Sequence, residues 1–76
     1  MSRKLPALTA KKLVRFLKRQ GFLEDDQDGS HLSLVHQVTK KTTTVPVHTG
    51  VDIGKGLLKK ILTQAGFTSD DFYRLR

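Results

Sequence analysis

The sequence predicts an α+β domain in which helices cover one face of a three-stranded antiparallel sheet. Two segments, near 10–20 and 55–65, repeat apolar residues with the 3.6-residue period of a helix. Three short segments between them alternate apolar and polar residues or are rich in β-branched side chains, as strands are. Seventy-six residues suit one domain, so we expect a single domain over 1–76, with a loose N-terminal arm over 1–8.

The first predicted helix carries a basic face. Thr9 is its expected N-cap, and Gly21 follows its end in the C′ position. Its apolar residues share one arc, and the opposite arc holds Lys11, Lys12, Arg15, Lys18 and Arg19. Most such arcs are simply solvated. The absence of acidic i,i+4 partners nevertheless favours a binding role for this one.

The predicted strands cover residues 22–24, which lead into an acidic turn, then 30–38 and 43–48. Side-chain alternation places Leu32 and Leu34 of the second strand toward the core, so His31 and Ser33 should lie on the open face. Pro46 has no N–H to donate to a ladder. The third strand should therefore lie at a sheet edge or end at that residue.

The remaining segments are punctuated by polar residues and glycines. Residues 39–42 should form a turn and residues 49–54 a loop, followed by the second helix over 55–65. Gly66 should end this helix, and Ser69 should cap a short terminal helix.

Composition indicates an anionic partner. Fourteen Lys and Arg residues against seven Asp and Glu residues give a net charge of +7. Residues 1–19 hold seven basic residues and no acid, whereas residues 24–28 hold four acids. Nucleic acid is the first candidate, an acidic protein the second and an anionic membrane the third.

Cysteine and hydropathy patterns indicate a cytoplasmic protein. The absence of cysteine excludes disulfides and thiolate metal sites and fits a reducing compartment. No apolar run is long enough to span a membrane, and no secretory signal is recognisable at the N-terminus. We therefore expect no membrane partner.

Neither a mononucleotide site nor a metal site is expected. Around Gly54-Lys55-Gly56 the glycine spacing is wrong for a phosphate-binding loop, and no Ser or Thr follows the lysine. The start of the second helix could still attract a phosphate. His31 and His36 should leave opposite faces of one strand, so they cannot readily share a metal ion. We expect no metal and no cofactor.

The Gly29-Ser30-His31 step delivers an imidazole to the start of the second strand. Such a lone histidine is more often structural, but its setting suits RNA cleavage. RNA carries its own nucleophile, the 2′-hydroxyl, so a histidine that moves protons near neutral pH and cations that stabilise the phosphorane can suffice. His31 is therefore the candidate catalytic residue.

In order and spacing, four blocks resemble the HicA toxin family, the ribonuclease partners of bacterial HicB antitoxins. The blocks are the helix ending Gln20-Gly21-Phe22, then Asp28-Gly29-Ser30-His31, then Val45-Pro46-Val47-His48, and finally residues 56–67. The resemblance implies an α-β-β-β-α fold like that of double-stranded-RNA-binding domains. It also implies an endoribonuclease that cleaves mRNA, arrests translation and growth, and is neutralised by a HicB-type antitoxin.

The resemblance also implies roles for individual residues. His31 matches the family's catalytic histidine, Gly29 and Ser30 shape the strand entry, and His48 has a supporting role. Candidates for binding RNA or antitoxin are the five basic residues of the first helix together with Lys40, Lys41, Lys55, Lys59 and Lys60. The turn over 37–42 is longer than the family's usual one, which leaves the register there open.

Two alternatives to a ribonuclease remain open from the residues. A basic α-β-β-β-α domain also suits shape-based recognition of duplex RNA without catalysis. A pure interaction protein could use the same basic face to bind an acidic protein.

Overall fold

A computed structural model describes residues 8–47 and 52–76 and confirms the predicted α+β fold. The elements are β1 (Leu8–Thr9), α1 (Ala10–Arg19), β2 (Phe22–Asp28), β3 (His31–His36), β4 (Thr42–Pro46), β5 (Asp52–Ile53), α2 (Lys55–Ala65) and α3 (Ser69–Leu75). A central antiparallel sheet has the order β2-β3-β4, and β1 pairs with β5. Residues 1–7 of the expected arm, His48, and residues 49–51 of the expected loop lie outside the described residues.

The core lies between the helices and one face of the sheet. Leu32, Leu34 and Val45 of the sheet are buried with the apolar faces of the helices, as alternation predicts. The buried helical residues are Ala10, Leu13, Phe16, Leu17, Leu58, Ile61, Leu62, Ala65 and Phe72. None of the described helices therefore covers the other face of the sheet. Within the described ranges, no helix is long and apolar enough to cross a membrane.

Both ends of α1 match the sequence prediction. The hydroxyl of Thr9 accepts a hydrogen bond from the Lys12 N–H at 3.2 Å, as an N-cap does. Gly21 has a φ of +100°, and a Cβ there would lie 2.7 Å from the His36 ring. Both the backbone conformation and the close approach therefore require glycine at this position.

The acidic segment is part of a strand, so the prediction of a turn there is wrong. β2 continues to Asp28 and pairs with β3 along its length. The register shifts between Glu24 and Asp26, so Asp25 is the extra residue of a β-bulge. Acidic residues have low strand propensity, but pairing with a well-formed neighbour outweighs this at a solvent-exposed edge.

β4 and α2 follow the prediction closely. β4 lies at a sheet edge and ends at Pro46, as the missing N–H requires. α2 has the predicted bounds, and Gly66 ends it with a φ of +92°. The buried Thr43 hydroxyl lies 3.2 Å from the Ile61 carbonyl oxygen and 3.1 Å from the Gln64 side-chain oxygen. This hydroxyl fixes the C-terminal half of α2 against β4.

A short β-ladder joins the starts of the two long helices, and the sequence did not predict it. Leu8 pairs with Ile53 and Thr9 with Asp52. Leu8 was assigned to the loose arm, but it is buried in β1 because its side chain joins the core. The ladder holds the residues preceding α1 beside those preceding α2.

The cap of α3 is Thr68, so the prediction of Ser69 was one residue late. The Thr68 hydroxyl accepts from the Asp71 N–H, and the Asp71 carboxylate accepts from the Thr68 N–H at 2.9 Å, forming a capping box. The carboxylate also accepts from Arg74 at 2.8 Å. Two hydrogen bonds lower the pKa of Asp71 below its ordinary value. The bond from the Thr68 backbone N–H has the larger effect, and the bond from the Arg74 side chain has the next largest.

This capping box predicts a specific acid sensitivity. Because the pKa of Asp71 is lowered in the folded state, its stabilisation is complete above the ordinary carboxyl pKa and is lost as the pH falls through the lowered value. Replacing Asp71 with asparagine should therefore reduce the drop in Tm between pH 6 and pH 3. The measurement is thermal unfolding followed by circular dichroism. Asp70→Asn, in the same helical turn but outside the box, is the matched control and should show the wild-type drop.

Candidate active site

A two-residue turn presents His31. Asp28 and His31 are directly opposite each other at the end of the β2–β3 ladder, and Gly29 and Ser30 connect them. Gly29 has a φ of +60° whereas Ser30 does not have a positive φ, the combination found in type II′ hairpin turns. The side-chain amide of Gln27 donates to the Gly29 carbonyl oxygen at 3.2 Å. The sequence motif therefore acts by setting the geometry of a tight hairpin.

His31 combines a fixed backbone with an exposed side chain. It begins the central strand, where it pairs with Asp28 on one side and with Pro46 on the other. The Val47 N–H donates to the Ser30 carbonyl oxygen at 2.6 Å and extends the ladder past the strand. The side chain is exposed on the open face of the sheet, as predicted.

Two carboxylates, which were not predicted there, share the open face with His31. The two-residue turn puts Asp28 opposite His31 and Asp26 opposite Ser33, so these alternate residues of β2 point to the open face. Asp28-Gly29 is a recognisable hairpin signal. That signal could have placed Asp28 beside the histidine.

His36 is a structural residue at the other end of β3. Its Nε2 lies 2.7 Å from the Gln20 carbonyl oxygen, and its Nδ1 accepts from the Val38 and Thr39 N–H groups at 3.0 and 3.1 Å. Because Nδ1 accepts, the proton is on Nε2. Five strand steps separate His36 from His31, a distance of roughly 16 Å. Because five is an odd number of steps, the two side chains leave opposite faces of β3, as predicted.

The described residues offer no grouping suited to a metal ion. Within residues 8–47 and 52–76, no three His, Cys, Asp or Glu side chains lie close enough together to hold one. His48, the third histidine, lies outside these ranges.

The two long helices begin at the His31 end of the molecule. α1 ends beside His36, whose ring contacts the Gln20 carbonyl, and α2 ends beside Lys41. The Lys41 carbonyl oxygen accepts a hydrogen bond from the His36 N–H at 2.9 Å, so Lys41 also lies at the His36 end of the sheet. Both helices therefore run away from the end of the sheet where β3 begins, and the β1–β5 ladder keeps their starts together.

The ten basic candidates are all exposed, but the fold does not bring them together. The basic residues in the first helical turns, at the His31 end, are Lys11, Lys12 and Lys55. Those at the opposite end are Lys18, Arg19, Lys40 and Lys41, and Arg15, Lys59 and Lys60 lie between the two ends. Lys18 also forms an ion pair with Glu24 of β2. Only the first set lies at the end of the molecule that carries the imidazole.

A known protein family matches most of the chain. The family model described as the HicA toxin of bacterial toxin–antitoxin systems matches residues 10–67. This range begins with α1 and ends just after Gly66, the cap of α2. No curated protein matches the chain. The matched range covers most of the chain and includes the His31 hairpin. The chain therefore belongs to the HicA family of toxins, which act in pairs with an antitoxin.

Proposed function

We propose that this toxin is an endoribonuclease that cleaves mRNA without a metal ion and so arrests translation and growth. The observation that carries the proposal is His31, an exposed imidazole on a backbone fixed by ladder bonds to both neighbouring strands. It lies within the range matched by the toxin family. In this function His31 takes the proton of the 2′-hydroxyl or gives one to the leaving 5′-oxygen. The protein would act in the cytoplasm, where mRNA is translated.

Charge at the same end of the molecule supports RNA as the substrate. Lys11, Lys12 and Lys55 lie in the first turns of helices whose N-terminal ends carry a partial positive charge. The N-cap of α2 is Gly54, which provides no side-chain acceptor for the first N–H groups. These groups and Lys55 suit a phosphate of the RNA backbone. The three lysines would hold the strand while His31 acts on it.

We further propose that a HicB-type antitoxin neutralises the toxin through its basic surface. The outer face of α1 presents five exposed basic side chains, and the helix contains no acidic residue. An acidic antitoxin surface would complement this face and would associate quickly at low ionic strength. Because α1 begins at the His31 end, a partner bound along it would also cover the path of the RNA.

Cleavage in the absence of metal ions tests the proposal. The purified protein should cut a labelled mRNA in the presence of excess EDTA, and an equimolar antitoxin encoded next to it should stop the reaction. Binding without cleavage would support a non-catalytic RNA-binding module. Cleavage that EDTA abolishes would contradict the metal-independent mechanism.

A further inference from the structure

The β3–β4 loop, residues 37–41, has a fixed backbone although all five of its side chains are exposed. Each of its backbone N–H groups donates a hydrogen bond. Three of them bond to His36: Nδ1 accepts two, at 3.0 and 3.1 Å, and the carbonyl oxygen accepts one at 3.1 Å. The other two bond to the Gly21 carbonyl oxygen at 3.1 Å and to the Thr39 hydroxyl at 3.3 Å. Surface loops are generally more mobile than the elements they connect, so this degree of pairing is uncommon.

Both ends of the β3–β4 loop are held against the ends of helices. The Gln37 N–H donates to Gly21, which directly follows the C-cap of α1. At the other end, the Lys41 side chain lies against Gly66, the C-cap of α2, where an added Cβ would be 2.8 Å from the ammonium nitrogen. The loop therefore keeps a set position beside the two basic residues that end α1.

Lys40 gives the loop a strained backbone. Its φ is +63°, and among the described residues it is the only one other than glycine with a positive φ. This region is unfavourable for a lysine, and such conformations persist only where the surrounding structure imposes them. Glycine would adopt the same conformation without this strain. A lysine at this position therefore points to a use for its side chain.

Val38 is the apolar side chain of the loop. It is 81% exposed, more than the other exposed large apolar residues of the described ranges. A single exposed apolar side chain is common on protein surfaces. Val38 differs because its own N–H is bonded to His36, so a partner that buries it has little loop ordering to impose. The loop is therefore preorganised to present one apolar side chain next to the Lys40 cation.

The chemistry of this end favours a protein partner over RNA. Its exposed cations, which include Lys18, Arg19 and Lys40, would attract the acidic groups of either. A valine offers a nucleotide no hydrogen bond and no stacking surface, whereas it fits an apolar recess in a protein. The loop also follows His36, roughly 16 Å along β3 from His31, so it lies away from the end where RNA would be cut.

We infer that the β3–β4 loop holds the antitoxin: Val38 enters an apolar recess of the antitoxin, and Lys40 pairs with an acidic group beside that recess. The inference rests on the proposed function, because it extends the antitoxin contact proposed for α1. A partner bound along α1 reaches this loop where the helix ends. The antitoxin can thus cover the RNA path at one end of the molecule and be held at the other, where RNA does not compete.

The test compares Val38→Ser with Leu23→Ser. Both variants remove an exposed apolar side chain at the same end of the sheet, but Leu23 lies on the acidic strand β2, which an acidic partner avoids. The probe is the purified antitoxin encoded next to the toxin, and its Kd is measured by surface plasmon resonance in the His31→Ala background. Val38→Ser should bind roughly 10-fold more weakly, because a buried valine is lost. Leu23→Ser should stay within about 2-fold of the unsubstituted Kd.

Two changes at Lys40 separate the strain from the contact. Lys40→Gly relieves the positive φ, so it should raise the Tm in thermal unfolding while weakening antitoxin binding by roughly 3-fold through loss of the cation. Lys40→Arg keeps the cation and should bind within about 2-fold of the unsubstituted protein. With His31 intact, Val38→Ser should cleave RNA at the wild-type rate and require more antitoxin for inhibition.

Antitoxin affinity that is unchanged in Val38→Ser or in Lys40→Gly would overturn the inference, as would equal losses in the two serine variants. Weaker RNA binding by Val38→Ser with unchanged antitoxin binding would overturn it too, because the loop would then be an RNA contact. The affinities do not depend on catalysis. If the wild-type protein failed to cleave RNA, the proposed ribonuclease function would fall, and the measured Kd values would still decide whether the loop holds the antitoxin.

Discussion

Replacing His31 with alanine should lower the rate of RNA cleavage by roughly 10²- to 10⁴-fold, the usual contribution of a general acid or base. The fold should be unaffected, because the side chain is exposed and the strand is held by backbone bonds. Single-turnover cleavage of a labelled mRNA in EDTA measures the rate. Thermal unfolding checks that the Tm stays within a few degrees of the wild-type value. Expression of the variant should no longer arrest growth.

The second described histidine provides the matched control. His36→Gln removes an imidazole whose two nitrogens hold α1 and the β3–β4 connection, so it should lower the Tm. Below that Tm, cleavage should continue at close to the wild-type rate. Full activity in His31→Ala would show that the catalytic assignment is wrong. Loss of activity in folded His36→Gln would show that cleavage does not depend on His31 alone.

The other large effect concerns RNA binding at the helix starts. Changing Lys11, Lys12 and Lys55 together to glutamine should weaken binding of single-stranded RNA by roughly 100-fold at 0.1 M salt, because up to three phosphate contacts are lost. The slope of log K against log salt should become shallower by about 2. Fluorescence anisotropy with the non-cleaving His31→Ala background measures both quantities.

A control with the same charge change acts at the opposite end. Lys18, Arg19 and Lys40 are also exposed and basic, but they lie at the His36 end of the sheet. Changing all three to glutamine should reduce affinity only through the net charge, by well under 10-fold. Equal losses in the two triple variants would mean that RNA is bound by overall charge and has no preferred path.

Features with a local chemical cause could be predicted from the sequence. The Thr9 cap, the end of β4 at Pro46 and the bounds of α2 each depend on one residue type or one periodic pattern. The exposed position of His31 followed from simple alternation along its strand. These signals act over a few residues and need no knowledge of the partner elements.

Features created by distant pairing could not be predicted. The β1–β5 ladder contains two residues from each strand, and its partners are more than forty positions apart in the sequence. Neither segment has a periodic signal of its own. The sequence also did not show which of the ten basic candidates lie at the His31 end. Their distribution along the molecule depends on how both helices lie on the sheet.

The acidic strand was missed for a different reason. Residues 24–28 have the composition of a turn, and strand pairing outweighs that composition only after β3 has formed beside them. The two-residue turn then places Asp28 and Asp26 on the same face as His31. A bulge has no reliable sequence signature, so the length of β2 and its register before Asp26 became visible only in the structure.

The acidity of β2 also bears on self-association. Among the described strands, β2 and β4 are the two edges of the sheet, and edge strands are potential templates for adding a strand from another molecule. At the β4 edge, Pro46 has no backbone N–H to donate to an added strand. At the β2 edge, a bulge distorts the seven-residue strand, and four acidic side chains would repel a second copy of it. Two copies aligned along β2 would bring eight carboxylates together. The same acidic residues that surround the hairpin therefore oppose aggregation of a strongly basic protein through its sheet edges.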